Sequence, residues 1–163
     1  MMSPINPPHA SVVSLLAATF IQQLQDRATV AIQSPIAINA DSEPQPDIII
    51  AKPSPTAYRD RHITPQDTLL LIEVADTSAA YDLSVKASLY ASANICEYWV
   101  FDLEAKQLVR HQRPQPSGTW STIERLDPSQ SLGLQAFPEL AIKLQPLLDP
   151  SNKPNNNSNE PIK

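Results

Sequence analysis

Two short stretches of this chain are almost continuously aliphatic: Ile48-Ile49-Ile50-Ala51 and Thr68-Leu69-Leu70-Leu71-Ile72-Glu73-Val74-Ala75. Successive side chains of a β-strand point to opposite faces, so a strand that is apolar at every position is one buried on both. Helices to cover such strands are legible on either side of them. From His9 to about Arg27, Val12, Val13, Leu15, Leu16, Phe20 and Leu24 recur at helical spacing, between Pro7-Pro8 and Asp26-Arg27. From Tyr81 to Ala93 a second helix is expected, with Leu83, Val85, Leu89 and Tyr90 facing inward, Asp82 and Lys86 one turn apart, and Asn94 closing it.

The remaining elements are weaker. Thr29 to Asn39 alternates through Val30, Ile32, Ile36 and Ile38 but is broken by Pro35, which reads as an edge strand or a broken pair. Lys52 to Asp67 reads as an irregular excursion or a short helix. Cys96 to Asp102 and Gln107 to Gln112 form a hairpin around Leu103-Glu104-Ala105-Lys106, and Trp120 to Leu126 is a further strand. Leu132 to Leu148 holds a short apolar segment suited to packing over a sheet edge. The order predicts an α/β fold, a mixed β-sheet flanked by helices, over residues 1–149. Residues 150–163, rich in Asn and Pro, cannot bury enough to fold and are expected to form a mobile tail.

Composition removes several function classes. In 163 residues there are only 2 glycines, so neither a phosphate-cradling P-loop nor a dinucleotide fingerprint can be built. The single cysteine, Cys96, excludes an internal disulfide and a cysteine-based zinc site, and its apolar neighbours suggest a buried, inert thiol. No apolar run approaches the roughly 20 residues of a membrane span, and Met1-Met2-Ser3-Pro4 opens no secretory signal; a soluble cytoplasmic protein is expected. The net charge of −5 disfavours tight non-specific binding of nucleic acid. It leaves room for an enzyme that touches DNA locally and relies on metal ions at the reacting phosphate.

Each aliphatic strand carries one carboxylate. Asp47 opens the first and Glu73 lies inside the second. An unpaired buried carboxylate costs several kcal/mol, so each calls for a partner or a metal. Adjacent strands would bring both to one sheet edge as hard oxygen ligands for Mg²⁺. Lys86, on the following helix, would face them, placed to orient water or to neutralise charge. Plainer explanations stand beside these: Asp47 as a turn residue after Pro46, Glu73 in a buried ion pair, Asp82 and Lys86 as a surface pair worth a few tenths of a kcal/mol.

Pro46-Asp47, Glu73 and Lys86 together resemble the motif of the PD-(D/E)XK nuclease superfamily. More specifically, Gln45-Pro46-Asp47-Ile48-Ile49-Ile50, Leu71-Ile72-Glu73-Val74, Asp82 through Tyr90 and Glu97-Tyr98-Trp99-Val100-Phe101-Asp102 resemble the Uma-two family of restriction-endonuclease-like proteins, from about His9 to Leu148. The resemblance implies a restriction-endonuclease-like core with its site at one sheet edge. It implies that Asp47, Glu73 and the backbone carbonyl of Val74 bind Mg²⁺ (or Mn²⁺), that Lys86 is the catalytic lysine, and that DNA is the partner.

Two departures are visible. Ala75 stands two residues after Glu73, where the superfamily pattern places its lysine, so that role falls to Lys86. The family's N-terminal hairpin is not evident ahead of the first helix, so either the chain starts inside a longer reading frame or this member lacks the hairpin. His9 matches a histidine the family places at the helix start, and with Asp82 it is an accessory candidate. Lys52, Arg59, Arg61 and His62 after the first strand, and Lys106, Arg110, His111 and Arg113 on the hairpin, are candidates for phosphate contact, with scattered solvated charge as the commoner explanation.

The expected activity is metal-dependent hydrolysis of DNA phosphodiesters. The alternative is a nuclease fold without turnover that binds nucleic acid or protein. Cutting both strands of a duplex would call for two active sites and hence a homodimer. A dimer surface at Tyr98, Trp99 and Phe101 is a weaker expectation, since alternation puts at least one of their faces in the core.

Overall fold

The structure is a computed structural model and describes residues 6–152. Helix α1 (Pro7–Leu24) is followed by a 3₁₀ turn (Gln25–Arg27) and then by strands β1 (Thr29–Ile32), β2 (Ile48–Ala51) and β3 (Thr68–Ala75). A helical segment links β3 to β4 (Glu97–Asp102). It consists of α2 (Ala79–Tyr81), a π-turn (Asp82–Lys86) and α3 (Ala87–Ser92). Strands β5 (Gln107–Pro114) and β6 (Trp120–Leu126) complete the main sheet. Short strands β7 (Ser131–Leu132) and β8 (Ile142–Lys143) and helix α4 (Gln145–Leu148) end the described chain.

The six strands lie in sequence order, β1 to β6. All neighbours are antiparallel except β3 and β4, which run parallel across the helical crossover. The continuous apolar runs have the physical cause the pleat dictates. Ile48, Ile50, Leu70, Ile72 and Val74 pack with Trp99 and Phe101 beneath Val12, Val13, Leu16, Phe20 and Leu24 of α1. Ile49, Ala51, Leu71 and Ala75 pack with Tyr98 and Val100 beneath Ala87 and Tyr90 of α3. The sheet is therefore sandwiched between two layers, as the two-sided strands required.

Most expected elements are present within one or two residues. The alternating stretch after Thr29 ends as the edge strand β1, with single bridges at Ile36 and Asn39 beyond it. The Lys52–Asp67 excursion is turns closed by a 3₁₀ segment, Pro65–Asp67.

Three expectations need correction. Val85 does not face inward: it is 54% exposed, because five residues at about 100° each set it roughly 120–140° around the helix axis from the buried Tyr90. Asp82, not Val85, takes the buried position. Cys96 is half-buried rather than fully enclosed, with Sγ 3.2 Å from the Leu69 carbonyl. Tyr98, Trp99 and Phe101 are all fully buried and form no surface. The region upstream of Asn6 and the tail from 153 onward lie outside the described residues.

Candidate active site

The two carboxylates meet at one end of the sheet. Ile48 pairs with Ile72, and this antiparallel register, continued by one residue, sets Asp47 beside Glu73. At that point β2 has ended, and the Asp47 side chain substitutes for the missing strand: its Oδ2 accepts the Val74 N–H at 2.8 Å. An extended residue presents its N–H and C=O to the same side, so the Val74 carbonyl projects toward the same edge.

Helix α1 brings its N-terminus to this edge. Asn6 caps the helix by accepting the His9 N–H at 3.1 Å, with prolines in the first turn, and its side-chain amide donates to the Asp76 carboxylate just past β3. His9 is thereby held with Nε2 3.1 Å from Asp47 Oδ1. Its Nδ1 is buried and has no hydrogen-bond partner among the described residues.

The helical crossover supplies the rest. Lys86 Nζ lies 3.3 Å from Glu73 Oε1 and 3.3 Å from Asp82 Oδ1. Asp82 is buried and its Oδ2 accepts from Ser78 Oγ at 2.8 Å. The Asp82–Lys86 pair is therefore not a solvated surface pair. The Tyr90 hydroxyl donates to Glu73 Oε1 at 3.1 Å, and the Tyr98 hydroxyl donates to the Asp82 backbone carbonyl at 2.9 Å.

Electrostatics follow from this burial. Desolvation pushes the Glu73 carboxyl up to about 8; Lys86 pulls the other way, while Asp47 and Asp82 add to the rise. Asp82 is also raised, chiefly by burial against the opposing pull of Lys86. Lys86 is raised as well: its burial lowers it, but Glu73 and Asp82 together outweigh that. Three carboxyl groups thus converge on one lysine and one histidine, and the cluster is short of positive charge.

Among the described residues, no three His, Cys, Asp or Glu side chains sit together at metal-ligand spacing. The donors available are two carboxyl groups and one carbonyl, all oxygen, beside the third buried carboxyl of Asp82. Mg²⁺ is commonly held by one or two carboxylates with the balance from water and substrate phosphate. The residues present fit such an ion.

Of the candidates from sequence, Asp47, Glu73, Val74, Lys86, His9 and Asp82 come together here. The basic residues do not. Arg61 is paired with Asp67, Lys106 with Asp149 and Arg110 with Glu124, while His111 is buried with Nδ1 3.1 Å from the Tyr98 carbonyl. Lys52 and the residues after it leave the opposite end of β2 from Asp47. Sequence reasoning did not single out Asn6, Ser78, Tyr90 or Tyr98 as site residues. The Asn6-Pro7-Pro8 run carried a legible capping signal, and the other three carried none.

The sequence matches the family model Uma2, described as "Putative restriction endonuclease", over residues 1–145. The chain belongs to the Uma2 family. No curated protein matches it. Among solved structures it is similar to that of a "putative nuclease belonging to DUF820" from Anabaena variabilis ATCC 29413. The TM-score is 0.71 at 15% sequence identity, covering 91% of this chain and 84% of the other. That likeness confirms the fold, a mixed sheet flanked by helices. No helix among the described residues is long and apolar enough to cross a membrane.

Proposed function

We propose that this Uma2 member is a divalent-metal-dependent DNA endonuclease of the PD-(D/E)XK type. The observation that carries the reading is the convergence of Asp47, just ahead of β2, with Glu73 on the adjacent β3, and the Lys86 ammonium 3.3 Å from Glu73. The family description and the nuclease neighbour support it. Asp47, Glu73 and the Val74 carbonyl would hold Mg²⁺ or Mn²⁺, which supplies Lewis acidity at the scissile phosphate and lowers the pKa of the attacking water.

This chain's own residues do the remainder. Asp47 is fixed by the Val74 amide and by His9, so its carboxylate is pre-oriented toward the sheet edge. Lys86 stands beside Glu73, where it orients the attacking water and offsets the charge that builds on the phosphate oxygens as the phosphorus–oxygen bond to the leaving group breaks. A homodimer would supply the second site needed to cut both strands.

The test is cleavage of supercoiled plasmid and of linear and single-stranded DNA with Mg²⁺ or Mn²⁺, beside Asp47→Asn and Lys86→Met. Metal-dependent cleavage lost in both variants supports the reading. Cleavage that survives in either, or in EDTA, contradicts it. A nuclease fold without turnover is the second reading, favoured by the engagement of Lys86 by two carboxylates. It predicts metal binding with no cleavage of any DNA form.

A further inference from the structure

The helical crossover is not a regular helix, and its irregularity falls on the residues that face Glu73. Asp82, Lys86 and Tyr90 are spaced four and four along the chain. In an α-helix, at about 100° per residue, positions 82 and 90 would stand ~80° apart around the axis. A turn with i→i+5 bonding holds roughly 4.4 residues, so four steps at about 82° and four at about 100° bring them to within ~10°. The π-turn covers Asp82–Lys86. In consequence the three side chains form one line: Tyr90 and Lys86 both reach Glu73 Oε1, and Asp82 reaches Lys86.

Something must hold the wider turn, because π-bonding occurs as isolated turns within α-helices and is often found at functional sites. The neighbouring sheet provides the contact. The Tyr98 hydroxyl, rising from β4, donates to the Asp82 carbonyl at 2.9 Å. The Tyr98 ring is fixed in turn, edge-on to Tyr90 at 4.9 Å and stacked near Trp120 at 6.2 Å. Tyr98 is fully buried, so its hydroxyl has few alternatives.

We propose that Tyr98 is a positioning residue: its hydroxyl pins the π-turn, and the π-turn aligns Asp82, Lys86 and Tyr90 on Glu73. Lys86 then owes its place to a backbone irregularity anchored from the sheet, not to the helix alone. Tyr98 touches neither the proposed metal nor the substrate, and acts only through Asp82 and Lys86.

The test uses the full chain and the variant Tyr98→Phe, which keeps the ring and removes only the hydroxyl. Hydrogen exchange is read first, since it does not depend on activity. In Tyr98→Phe the amides of residues 84–87 should exchange about tenfold faster while those of β3 and β4 are unchanged. Unchanged exchange at 84–87 overturns the proposal. The kinetic arm rests on the nuclease reading. With plasmid and Mg²⁺, Tyr98→Phe should lose about 10- to 100-fold in kcat at unchanged KM. Wild-type kcat in that variant also overturns the proposal. A wild-type protein that cleaves nothing refutes the nuclease reading instead, and leaves the exchange result to decide this one.

Discussion

Glu73 is a buried carboxyl among aliphatic residues, and the cost of ionising it can be read as a function of pH. Its carboxyl is moved from an ordinary 4.5 to about 8, so the folded state holds a proton that the unfolded state has released. A group raised on folding stabilises fully below its unfolded value, and that contribution is lost as pH rises through the folded one. At about 1.4 kcal/mol per pH unit the loss is at most about 5 kcal/mol between pH 4.5 and 8, a large part of a typical total of roughly 5–15 kcal/mol. Glu73→Gln is nearly isosteric and keeps an acceptor for the Tyr90 hydroxyl and Lys86, but cannot ionise. Urea unfolding in EDTA at pH 5, 7 and 9 should show the wild type losing stability with pH more steeply than Glu73→Gln. The variant should be the more stable protein at pH 9. Parallel curves for the two proteins would show that Glu73 does not take up a proton on folding. The contributions of Asp82 and Lys86 are common to both, apart from their coupling to Glu73, so the difference reports mainly on Glu73.

Other consequences are open to measurement. Lys86→Met should abolish metal-dependent cleavage, by 100-fold or more. It should also destabilise the fold above neutral pH, since the buried Asp82 and Glu73 lose their shared counter-charge; chemical denaturation at pH 6 and pH 9 checks this. Trp99→Ala should cost about 3–5 kcal/mol in urea unfolding, because the ring is fully buried between the sheet and Phe20 of α1; a surface tryptophan would cost far less. Val85→Lys should change stability by no more than about 0.5 kcal/mol, since the side chain is exposed, whereas an inward Val85 would make it severe.

The fold was legible wherever burial is two-sided. β2 and β3 could be read because every position is apolar, and the sheet that covers both faces follows from them. Asp47 and Glu73 were legible for the same reason, as charges among Ile and Leu that need a purpose. What could not be read was geometry that depends on a partner element. The helix period sets Asp82 to one side of the Tyr90 face if every turn is α-helical, and the π-turn that rotates it inward is held by Tyr98, twelve residues past Lys86 and on another strand. For Tyr98 and Trp99 core was the stronger reading for at least one face and a contact surface the weaker, because adjacent strand residues point to opposite faces and only the presence of layers on both sides buries both. The basic residues were visible in sequence, but the carboxylates that pair with several of them lie between 6 and 43 residues away.

Titration calorimetry of Mg²⁺ and Mn²⁺ into the wild type, Asp47→Asn and Glu73→Gln at pH 8 tests the central claim most directly, that the two carboxylates form one metal site. The wild type should bind metal, and either substitution alone should abolish that binding or weaken it at least about tenfold. Wild-type affinity in either variant, or no binding to the wild type at millimolar metal, would contradict that claim.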